Sequence, residues 1–117
     1  MASNKAKVGT KNVRAYAVRK QPSLKSIMHV LRANLPELRK RYDVRTLGIF
    51  GSYVRGEQRK RSDLDVLVEF DRAPTFFEFI DLEEHLSNFL HVRVELVMKS
   101  ALKHAIGQRI LTELVRI

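Results

Sequence analysis

The chain has no cysteine among its 117 residues. That excludes disulfides, thiolate zinc sites and a cysteine nucleophile, and it fits an intracellular, cytoplasmic protein. No apolar run approaches the roughly 18 residues a membrane span needs, so no membrane partner is expected. The N-terminus lacks the apolar stretch of a secretory signal. Acidic residues are missing altogether from residues 1–20, which carry Lys5, Lys7, Lys11, Arg14, Arg19 and Lys20. This segment accounts for most of the formal net charge of +9. Residues 1–21 therefore read as a basic, flexible extension, whose phosphate contacts could give weak nucleic-acid binding. Residues 22–117 read as one domain, large enough for a core of its own.

Apolar periodicity then organises that domain. Pro22-Ser23 is a helix start, with Ser23 as N-cap, and Leu24, Ile27, Met28, Leu31, Leu35 and Leu38 form a helical stripe. Pro36 removes a backbone donor, so a break is expected near Asn34-Leu35. Arg45–Phe50 reads as a short buried strand and 52–57 as a brief helical turn limited by Gly56. Leu64–Phe70 reads as a second strand. Thr75-Phe-Phe-Glu78 is a capping box for a helix burying Phe76, Phe79 or Ile80, Leu82 or the neighbours of Glu83, Leu86 and Phe89. A third strand is expected over Val92–Met98. A last helix capped by Ser100 would follow, turning Leu102, Ile106, Ile110 and Leu111 inward. The end, 114–117, reads equally as helix or edge strand. Strands alternating with helices predict an α/β (α+β) fold, a small mixed β-sheet packed with helices. The short link between the first two strands leaves them free to be antiparallel.

The chemistry concentrates in LGIFGSYVRGEQRKRSDLDVLVEF, residues 47–70. Asp63 and Asp65 lie two apart on a strand and so share a face. Paired carboxylates at the start of an otherwise apolar strand call for a cation between them. Gly51-Ser52 ends the preceding strand with a residue that lets backbone approach a ligand, followed by a hydroxyl suited to an anion. Arg55 is equally suited to phosphate charge or to pairing with an acid. His29, His85, His91 and His104 show no zinc spacing.

Gly51-Ser52, ten intervening residues and Asp63-Leu64-Asp65 resemble the GS-x10-DxD signature of the polymerase-β-like nucleotidyltransferase superfamily. More narrowly, the stretch is similar to the minimal nucleotidyltransferases, the MNT family of MntA-type antitoxins. The Arg55-Gly56 and Ser62-Asp63 pairs belong to that resemblance. It implies that Asp63 and Asp65 hold Mg²⁺, as two ions, and that Gly51 and Ser52 bind the β- and γ-phosphates of ATP. It also implies a third carboxylate on a later strand, commonly an Asp in a stretch such as VDLV. Here that run is Val94-Glu95-Leu96-Val97, so Glu95 takes the place with one more methylene. A chain this short has no room for a separate acceptor domain, so the acceptor site is expected from a partner. The resemblance implies a HEPN-domain toxin, AMPylated on a tyrosine. Two alternatives stand beside this: a catalytically weak subunit that neutralises its partner by binding, and an RNA-directed nucleotidyltransferase using the basic extension.

Overall fold

A computed structural model describes residues 21–117. Residues 1–20 and the nucleic-acid contact expected of them lie outside the described residues. Helix α1 (Leu24–Tyr42) is followed by β1 (Val44–Phe50), the single-turn α2 (Ser52–Arg55) and β2 (Leu64–Phe70). Then come α3 (Phe76–Leu90), β3 (Val94–Met98), a 3-10 turn at Lys99–Ala101, α4 (His104–Glu113) and β4 (Val115–Arg116). The sheet order is β3-β2-β1-β4. β1 runs antiparallel to β2 and β4, while β2 and β3 are parallel, so the sheet is mixed as expected. Among the described residues no helix is long and apolar enough to cross a membrane.

Local chemistry explains most element ends. The Ser23 hydroxyl accepts from the Ser26 amide at 3.1 Å, as an N-cap should. Thr75 and Glu78 exchange both bonds of the capping box, at 2.8 and 3.1 Å. Asp43 and His91 end α1 and α3 in the left-handed region, with φ of 58° and 59°. With His91 as that cap, β3 starts at Val94, two residues later than the expected Val92.

Helix α1 does not break at Pro36. It continues through the proline, because Ile27, Leu31 and Leu38 bury one unbroken stripe on both sides of it. Burying Leu-sized side chains contributes about 1.5–3 kcal/mol each, enough to offset one missing backbone bond. Leu82, Leu86 and Leu90 of α3 meet that stripe, together with Leu64, Val66 and Val68 of β2 and Val94 and Leu96 of β3. Phe76 stays outside this core, exposed beside Phe77 at the start of α3, contrary to its place in the apolar pattern. His85 lies between Tyr42 and Phe89, with ring centroids 5.9 and 5.2 Å apart.

The C-terminal region departs most from expectation. Ser100 sits in the 3-10 turn and does not cap α4, whose N-cap is Lys103 without a side-chain bond. Ile106 and Leu111 are exposed, and Gly107 is the buried residue of α4. Residues 115–116 form an edge strand, pairing Gly48 with Arg116 and Ile49 with Val115. Leu114 then lies directly over Gly48, where an added Cβ would come 2.6 Å from it. A residue without a side chain is what lets the chain's last segment close against β1. This clip fixes the final turn of α4 beside the end of β1.

Candidate active site

The end of β1 and the start of β2 build the site. The antiparallel register sets Phe50 opposite Asp65, and the parallel register sets Asp65 beside Glu95. Gly51 then turns the chain with φ of 83° and ψ of −154°, a conformation open to glycine but strained for other residues. A Cβ at this position would overlap the Asp65 carboxylate. Gly51 is therefore required twice, by its torsion and by its neighbour. Gly56, in the left-handed region, ends the single turn of α2. The loop to β2 is closed on itself: the Arg59 amide donates to the Ser62 hydroxyl at 2.7 Å, and the Ser62 amide donates to the Arg59 carbonyl at 3.0 Å. Gln21 ties the loop to the start of α1 by donating to the Lys60 carbonyl at 2.8 Å. Asp63 is presented from this braced loop.

The carboxylates repel one another. Burial first, then Glu95 and Asp63, push the Asp65 carboxyl up from 3.8 to about 6, while Arg55 pulls it down. Asp63 pairs loosely with Arg93, 3.9 Å away. Among the described residues no three acidic or imidazole side chains make a closed metal cage. The donors nonetheless fit Mg²⁺, which needs only one or two protein carboxylates when phosphate oxygens and water complete its shell. A cation here would offset the part of the Asp65 rise that comes from Glu95 and Asp63.

Gly51, Arg55 and Asp65 meet on one cavity of about 290 Å³, whose remaining walls are Phe50, Ile106, Arg109, Ile110 and Glu113. Asp63, Glu95 and Ser52 do not line this cavity; the two acids reach the site through their interaction with Asp65. Arg55 is held by acids in the structure, donating to Glu57 at 2.9 Å and to both Glu113 oxygens at 3.1 and 3.2 Å. Sequence reasoning missed Glu113. A signal was present: it is an acid in the last turn of a helix, where the dipole disfavours negative charge. Ile106 and Ile110 were read as core because their spacing is that of a buried stripe, whereas they wall an open cavity.

A family model for the nucleotidyltransferase domain matches residues 31–117. The chain belongs to the nucleotidyltransferase domain family. Within it, the chain is 50% identical over 93 residues to the protein adenylyltransferase MntA of Thermococcus cleftensis, covering 80% of this chain and 94% of that protein. A Methanocaldococcus jannaschii relative described as a protein adenylyltransferase is 41% identical over 80 residues, 68% of this chain and 93% of its own. A solved minimal nucleotidyltransferase superposes with a TM-score of 0.72 at 30% identity, over 85% of this chain and 100% of the other. A toxin–antitoxin structure with AMP-PNP matches with a TM-score of 0.59 at 26% identity, over 77% of this chain and 68% of that one. The polymerase-β-like fold and the minimal nucleotidyltransferase family expected from the GS-x10-DxD spacing are borne out.

Proposed function

We propose that this nucleotidyltransferase transfers AMP from ATP to a tyrosine of a HEPN-domain toxin and so acts as the antitoxin of the pair. The observation that carries this reading is the Gly51 turn pressed against Asp65, with Glu95 next to Asp65 across the strand pair. A backbone amide able to meet phosphate thus stands beside carboxylates that call for a cation. The similarity to protein adenylyltransferases and to a toxin–antitoxin structure holding AMP-PNP supports the substrate and the partner.

In this reading the Gly51 amide and Ser52 hydroxyl hold the β- and γ-phosphates. Arg55 turns from its acids to the phosphate charge. Asp63, Asp65 and Glu95 are the groups that would hold Mg²⁺, as two ions, which would neutralise the phosphates and the departing pyrophosphate. The acceptor oxygen attacks the α-phosphorus in line, the bond to pyrophosphate breaks, and Glu95 takes the acceptor's proton. In-line transfer asks the protein mainly for positioning and charge complementarity. Mass spectrometry of the HEPN partner co-expressed with this chain tests the proposal. An AMP adduct on a partner tyrosine is expected, and an unmodified partner contradicts it.

A second reading is favoured by Glu95 itself, one methylene longer than the aspartate the resemblance implies and paired in register with Asp65. The chain would then neutralise its partner chiefly by binding. Neutralisation that survives loss of Asp63 and Asp65 distinguishes this from transfer.

A further inference from the structure

An anion of the chain's own occupies the Gly51 turn. The Gly51 amide donates to Glu113 Oε2 at 2.6 Å, and Arg55 Nη1 donates to both oxygens of the same carboxylate. The Glu113 side chain is only 25% exposed, less than the 45% of Arg55. Its place at the end of α4 is electrostatically unfavourable within its own helix. The partners across the cavity therefore hold it there. The β4 clip, with Leu114 seated over Gly48, brings the carboxylate to this spot.

A backbone N–H and a guanidinium converging on two oxygens are a donor set that receives phosphate as readily as carboxylate. They are also two of the groups that a triphosphate requires in the reading above, on which the inference rests. Both anions cannot hold the same N–H. We propose that Glu113 is a built-in competitor for the β- and γ-phosphates. Without nucleotide it closes the Gly51 turn and neutralises Arg55. A nucleoside triphosphate, carrying more charge, displaces it and takes over both donors. Glu113 thus sets the nucleotide concentration at which the site opens, and α4 moves or its last side chain changes rotamer when that happens.

Calorimetric titration of the full chain with Mg-ATP and with AMP, for wild type, Glu113→Gln and Glu113→Ala, tests this. Losing one charge-assisted competitor is expected to tighten Mg-ATP binding by about tenfold. AMP, which lacks the competing phosphates, is expected to bind the variants and wild type alike. Variants that bind Mg-ATP no better than a binding wild type overturn the competitor while leaving the site assignment intact. Absence of nucleotide binding in every protein overturns the site assignment and the competitor with it. The wild-type Gly51 amide resonance gives a readout independent of how the variants fold. It is expected to move as Mg-ATP is added, and a resonance that stays fixed at saturation overturns the proposal.

Discussion

Replacing Gly51 by alanine would test the geometry of the site without reference to its chemistry. The backbone torsion alone, φ of 83° with ψ of −154°, costs a residue with a Cβ about 1–3 kcal/mol. The new methyl would also overlap the Asp65 carboxylate, whose Cγ lies 3.1 Å and Cβ 3.3 Å from the ideal position. Overpacking of this kind adds about 1–3 kcal/mol, so the expected loss is about 2–6 kcal/mol. Gly56→Ala is the matched control. It has a positive φ of 71° but nothing within 4 Å of the added Cβ, so about 1 kcal/mol is expected. Urea unfolding of the two variants and of Gly51→Ala/Asp65→Ala completes the measurement. The double variant should recover about 1–2 kcal/mol, since removing the carboxylate relieves the overlap and leaves the torsion. If Gly51→Ala costs no more than Gly56→Ala, or if Asp65→Ala rescues nothing, the close approach of turn and carboxylate is wrong.

Three further perturbations read other parts of the structure. The Asp65 carboxyl is raised from 3.8 to about 6, so the folded chain binds the extra proton in that window. Metal-free stability should therefore fall as pH rises from about 4 to 6, by about 1–1.5 kcal/mol once solvent screening of this half-exposed group is allowed for. Asp65→Asn should flatten that fall, and a pH profile identical to wild type would contradict the raised Asp65 carboxyl. Pro36→Ala should raise the unfolding midpoint, by about 2–3 kcal/mol of stability, because α1 is continuous through this exposed position. A loss of stability there would mean that the proline supports the helix. Leu86→Ala, at a fully buried residue, should cost about 2–5 kcal/mol, whereas Phe76→Ser should change stability by less than about 0.5 kcal/mol. Equal effects in thermal unfolding would refute the division between core and surface on α3.

What could be read from the sequence was governed by local rules. The bounds of β2, Leu64–Phe70, follow from apolar residues at every second position, Leu64, Val66, Val68 and Phe70. The start of α3 follows from a capping box, which is a contact between neighbours in the chain. The Gly51-Ser52 and Asp63–Asp65 spacing is likewise local, and its two halves meet because β1 and β2 pair in an antiparallel hairpin. What was misread depends on contacts between distant residues. Pro36 is carried by burial of Leu31 and Leu38, which α1 alone cannot reveal. The apolar residues of α4 have helical spacing, yet Ile106 and Ile110 face a cavity that exists only once β4 is docked on β1. Glu113 meets Gly51 across 62 positions. Its misfit with the helix dipole was visible, but its partner was not.

The central proposal is that Asp65, pressed against the Gly51 turn, and its strand neighbour Asp63 carry AMP transfer. Labelled ATP, with the label on the α-phosphate, can be incubated with Mg²⁺, the purified HEPN partner and either wild type or Asp63→Asn/Asp65→Asn. The account expects label on the partner with wild type and at least about a 100-fold lower rate with the double variant. Transfer by the double variant at the wild-type rate, or no transfer by wild type, would contradict it.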